Sequence, residues 1–241
     1  MIYKELDPFE GKAQEQMAYY LRRAFGASEE VDVLNGLVVR SGDIRAQMHH
    51  LVIHPYGLLL VENVSVRGTI QIEADWQWTV VHRQQAKPLR SPVTEAKLQA
   101  LQLEAFLDKK VKNKGFFHGL ELDVLVAVPD TRAIHWPPSG VFPEVCNADQ
   151  LPDRVNQRVA FCRSTSEKPG ALTVGQRRRL AEFLRASHKI VPRLVPNELD
   201  APSTRGSSLG PMSGSGDEAP ATGSGQGGPQ WMPSSRLSDL G

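Results

Sequence analysis

A carboxylate inside an apolar run constrains this chain more than any other feature. Residues 58–66 read LLLVENVSV, a β-rich stretch with Glu62 at its centre. Side chains alternate along a strand, so Leu60, Glu62 and Val64 share one face. A lone carboxylate there is costly unless it is paired, protonated or metal-bound. Just upstream, Leu51, Val52 and Ile53 form a short apolar run, followed by His54-Pro55-Tyr56-Gly57. Proline at the second and glycine at the fourth position suit a type I turn. A hairpin closed there sets Ile53 opposite Leu58. Counting back, His49 faces Glu62 and Gln47 faces Val64. Opposed residues have Cβ atoms about 5 Å apart, so an imidazole and a carboxylate are expected side by side. His50 points the other way, as a core histidine with a hydrogen-bond partner.

The rest of the body alternates helix and strand signals. Residues 9–25 predict a helix with Met17, Tyr20, Leu21, Ala24 and Phe25 on one face. Residues 69–72 and 78–82 predict strands flanking a turn around Asp75. Ser91 and Pro92 read as the N-cap and first residue of a helix running to about Lys110. Its inner face carries Ala96, Ala100, Leu103 and Leu107. Residues 122–128 predict a strand buried on both faces, and residues 159–162 a short strand. Thr173 and Gln176 form a capping box for a last helix to about Ser187, with Leu180, Phe183 and Leu184 inward. This order is mixed α/β.

From Ala201 to Gly241, 23 of 41 residues are Gly, Ser or Pro. Such a segment buries too little apolar surface to offset its conformational entropy. The expected organisation is therefore one domain over 1–195 and a disordered tail over 196–241. The tail ends in QWMPSSRLSDL, where Trp231, Met232, Leu237 and Leu240 offer anchors for a protein partner. A formal net charge of +1 gives no global case for nucleic acid or an anionic membrane. No run approaches 18 apolar residues and the N-terminus lacks an apolar leader, so a cytoplasmic protein off the membrane is expected. Cys146 and Cys162 form no CxxC pair, which excludes a zinc site of the usual spacing. They are expected to be buried and reduced.

The segment AQMHHLVIHPYGLLLVENVSVRGTI resembles the central motif of the nuclease-related NERD domains. Gly11, Glu15, Gly57, Glu62, Gly68, Trp76, Trp78 and Ser91-Pro92 fit the family's order and spacing over roughly residues 9–130. The resemblance implies a restriction-endonuclease-like fold, a mixed sheet flanked by helices. It also implies bacterial DNA processing with Mg²⁺ or Mn²⁺. The departures bear on chemistry. His49 stands at the family's Asp position, Val64 at its Lys position, and Glu95 at a position often Gln. The lysine orients the attacking water and stabilises charge developing on the phosphate, and valine can do neither. Glu62, His49 and the outlying Glu15 are the catalytic candidates, with Glu62 and His49 as metal ligands. Imidazole in place of a carboxylate shifts preference from Mg²⁺ towards Mn²⁺ or Zn²⁺. The alternative is a His49–Glu62 hydrogen-bonded pair in a retired site. Arg177, Arg178 and Lys97 are the nucleic-acid-binding candidates. Three functions are open: a nuclease with impaired hydrolysis, a non-catalytic DNA- or protein-binding module, or a structural or regulatory protein whose tail recruits a partner. No phosphate loop, GxSxG or HExxH motif occurs.

Overall fold

The computed structural model describes residues 8–111, 120–165 and 171–189. The expected tail at 196–241, the basic residues Lys112 and Lys114, and Arg193 lie outside the described residues.

Helix α1 (Pro8–Phe25) buries Ala13, Met17, Leu21 and Phe25. That four-residue spacing makes one stripe. Ala24, expected inward, is exposed, because the i, i+4 stripe slants and in the last turn runs through Leu21 and Phe25, leaving Ala24 to one side. Strands β1 (Asp32–Ser41), β2 (Ile44–His54) and β3 (Gly57–Asn63) follow as an antiparallel meander. The hairpin closes as expected, with Ile53 opposite Leu58 and His54 opposite Gly57. Strands β4 (Thr69–Ile72), β5 (Trp78–His82) and β6 (Gln85–Leu89) build a second meander.

Helix α2 (Pro92–Lys110) starts where Ser91 Oγ accepts from the Thr94 amide, with Pro92 at the first turn. It buries Ala96, Ala100, Leu103, Phe106 and Leu107. Strand β7 (Glu121–Val128) then lies parallel to β3, and β9 (Val145–Asn147) parallel to β7. The main sheet runs β1-β2-β3-β7-β9. The small sheet runs β6-β5-β4-β8, with β8 spanning Ile134–His135.

Alternation sorts the core into two layers. Leu58, Leu60, Val124 and Val126 pack towards α2, while Leu59, Val61, Leu125 and Ala127 pack towards α1 and α3 (Leu151–Thr165). With helices on both faces, Val124 to Val128 is buried without interruption, as the apolar run requires. Residues 159–162, expected as a strand, are part of α3. Leu151, Val155 and Val159 recur every four residues, and that longer period overrides the β preference of a Val-Ala-Phe-Cys tetrapeptide.

Helix α4 (Val174–Ala186) opens on the Thr173–Gln176 capping box and buries Leu180, Ala181 and Leu184. Phe183 is half-buried, its ring 6.2 Å from Phe106. The chain then covers the outer edge of β1, where Lys189 N donates to Val38 O at 2.9 Å and Val38 N to His188 Nδ1 at 3.1 Å. No described helix is long and apolar enough to cross a membrane.

Two backbone features stand out in the small sheet. Gly68 has φ +126, and a Cβ there would run into the Val81 carbonyl. The β5–β6 turn is two residues long, and both Arg83 and Gln84 have positive φ, 49° and 63°. That turn favours Asn-Gly, and each residue with a Cβ costs about 1 kcal/mol in this region.

Candidate functional site

Glu62 belongs to the β3 face that meets α2, and β2 supplies its neighbour. His49 Nδ1 stands 2.5 Å from Glu62 Oε1. The two side chains are 15% and 21% exposed. The Asn63 backbone amide donates to the same nitrogen at 3.3 Å. The His49–Glu62 contact pairs the carboxylate with the imidazole, which offsets the cost of setting it among apolar neighbours.

The β2–β3 ladder ends at His50 opposite Val61, just before this pair. Beyond it Val64 turns to β7, its amide donating to Ala127 O at 3.0 Å. Gln47, expected opposite Val64, has its amide bound instead by Gln99 Oε1 of α2 at 2.7 Å. Gln99 was not among the residues marked by sequence; only its helical position beside the strand reveals it. Val64 is 3% exposed and part of the core.

The other candidates lie apart from the pair. Glu15 is on the exposed side of α1. Lys97 Nζ is 3.8 Å from Glu144 Oε1, next to β9. Arg177 is 3% exposed. Its guanidinium donates to the carbonyls of Leu172 and Glu29 and faces Asp32 Oδ2 at 3.6 Å. It ties α4 to the start of β1 and is spent inside the protein, so of the Arg177–Arg178 pair only Arg178 faces solvent.

His50 points away from His49, as alternation requires. It is fully buried, with Nδ1 2.8 Å from Asn35 Oδ1. Asn63 neighbours the ring, yet His50 Nε2 and both amide atoms of Asn63 have no hydrogen-bond partner. Burial, then the charge of His49, lowers the His50 pKa to about 4.

The donor set does not fit a metal in this arrangement. Atoms sharing one ion at bond lengths near 2.1 Å stand about 3 Å apart. Nδ1 and Oε1 are closer than that, at hydrogen-bond distance. Among the described residues, no group of three or more His, Cys, Asp or Glu side chains is arranged to hold a metal. The carboxylate can orient the imidazole. The pair brings no cation to a phosphate.

The family model of the nuclease-related domain, NERD, matches residues 10–127. Those residues are a nuclease-related domain. No curated protein and no solved structure matches the chain. The NERD match opens in α1, takes in β1 to β6 and α2, and closes within β7. It therefore contains His49, Glu62, Val64 and Lys97. Strands β8 and β9, helices α3 and α4, and with them Arg177 and Arg178, lie downstream of it.

Proposed function

We propose that this NERD domain engages nucleic acid as a binding module whose hydrolytic site is degenerate. Family membership supports the ligand class, since the domain is nuclease-related. One observation carries the loss of hydrolysis: the family's lysine position is Val64, sealed in the core beside a Glu62 already held by His49. Phosphodiester cleavage needs charge stabilisation at the phosphate, and Lys97, the candidate on α2, stands 3.8 Å from Glu144. A metal at His49 and Glu62 would require the two groups to separate.

Fluorescence anisotropy with labelled duplex DNA, beside a cleavage assay in Mg²⁺ and in Mn²⁺, tests this. The expected result is salt-sensitive binding with Kd on the order of micromolar to 100 µM, no cleavage, and unchanged binding in Glu62→Ala. Metal-dependent cleavage that disappears in Glu62→Ala would overturn the degenerate-site reading. Absence of binding would remove nucleic acid and leave a protein as the partner.

A further inference from the structure

We propose that the β5–β6 hairpin is an arm that contacts the phosphates of duplex DNA. This rests on the nucleic-acid reading above and adds the surface that carries it.

The hairpin stands clear of the core. Every residue from 82 to 88 is exposed, while Trp78 is buried at its base and Thr79, Val80, Val81 and Leu89 are half-buried. Its charge is one-signed. Between Asp75 and Glu95 the chain carries Arg83, Lys87 and Arg90 and no acidic residue. Arg83 and Lys87 close no ion pair with a described residue. Arg90 reaches Glu95 only at 3.9 Å, with its side chain 91% exposed, a contact worth little in water. Glu73 and Asp75 sit in the β4–β5 turn, at the opposite end of the meander. Trp78 pairs with Leu89, so Arg90 lies at that acidic end, and the cations beyond it are Lys87, opposite Val80, and Arg83 at the tip.

The tip lies at the end of the small sheet from which the chain leads back to β3. Thr69 pairs with Val81, so the tip from His82 to Gln85 extends past the start of β4. Residues 64–68 join that start to the end of β3, which carries Glu62. Arg132 adds a guanidinium there, its Nε donating to Val66 O at 2.9 Å.

The edge of β6 does not invite another strand. Lys87 and Pro88 occupy it, and both discourage edge pairing. What the arm offers a partner is charged side chains, which suit a polyanion. The turn points the same way. Arg83 and Gln84 hold left-handed backbone at a place where Asn-Gly would fit without strain, and strain kept against an easy remedy marks a site used for something else.

The remedy supplies the test. Arg83→Asn with Gln84→Gly installs the favoured turn, so it does not weaken the fold, and Lys87→Ala removes the second cation. The triple variant and the wild-type full chain are titrated with labelled duplex from about 50 mM to 200 mM salt. Expected for the triple variant are a several-fold weaker Kd at low salt, a salt slope lower by roughly 2 for the two phosphate contacts removed, and a Tm no lower than wild type. Wild-type binding with an unchanged Kd and slope in the variant overturns the arm while leaving the nucleic-acid reading intact. A variant that binds normally but self-associates on size exclusion assigns Lys87 to edge protection and overturns it too. Failure of the wild type to bind at about 50 mM salt removes the nucleic-acid reading and the arm with it.

Discussion

His50 and His54 are 0% and 1% exposed, and burial lowers both to about pKa 4 from the usual 6.5. The neighbouring charge acts in the same direction: His49 beside His50, and the buried Arg177 beside His54. In the unfolded chain both rings titrate near 6.5. Between that pH and about 4 the unfolded state binds protons that the folded state refuses, so stability rises with pH and is lost on acidification. Two and a half pH units correspond to on the order of 3 kcal/mol per histidine at the bottom of the window. Urea midpoints taken from pH 7.5 to 4.5 are expected to start falling near 6.5, before most carboxylates titrate. The fall should be shallower in His54→Gln, which cannot take a proton. A flat midpoint from 6.5 to 5 in the wild type would mean that neither ring is buried neutral. The contrast with His49 shows how far sequence reaches at this scale. Turn chemistry and strand alternation set the register, so His49 beside Glu62 and His50 facing away were legible. Asn35 and Asn63, which surround His50, carry no pattern in sequence, because a polar residue on a strand looks the same whether it meets water or another buried polar group.

Strand β3 is held on both sides by different pairings, antiparallel to β2 and parallel to β7. Gly57 begins it, opposite Glu121, and a Cβ at Gly57 would run into the carbonyl and amide of Glu121. The obstacle is backbone, which cannot rotate aside as a side chain can. Gly57→Ala must therefore push β7 away at its first residue. A loss of about 3 kcal/mol is expected, measured as a lower urea midpoint with an unchanged m-value, while Gly11→Ala, which meets nothing within 4 Å, is expected to be tolerated. Equal midpoints for Gly57→Ala and wild type would mean that the β3–β7 approach is looser than described. Elements with local signals were legible. Ser91-Pro92 and Thr173–Gln176 marked their helices because caps are short and specific. Strands β1, β6, β8 and β9 were not, since each is defined by the partner it pairs with. Strand β1 interrupts its own pattern at Gly36, β6 is exposed along nearly all its length, and β8 and β9 are two and three residues long. Helix α3 was misread because four residues of β-rich composition concealed a stripe that only a longer window reveals.

At the scale of the molecule, the question is whether the part downstream of residue 127 folds as one with the NERD domain. Strand β9 extends the main sheet from β7, and α3 packs over the face that α1 also covers. Cys146 lies in β9 and Cys162 in α3, so both report on this downstream part. Both are free and buried. Burial pushes the Cys146 thiol up to about 12 and Cys162 to about 11. Only the thiolate reacts, so at pH 8 about one Cys146 in ten thousand is competent even before access is considered. Labelling by an aromatic disulfide must then wait for opening of the structure. If the downstream elements are part of one cooperative unit, both thiols label at the same slow rate, and the opening free energy from those rates equals the global value from urea unfolding. Two equivalents should react at once in denaturant. Rapid labelling of Cys146 alone in native buffer would show that the β9 edge opens by itself. Rapid labelling of both, with the urea midpoint unchanged, would show that residues 10–127 hold their fold without the elements that follow, which makes β9, α3 and α4 an appendage to the NERD domain and not a share of its core.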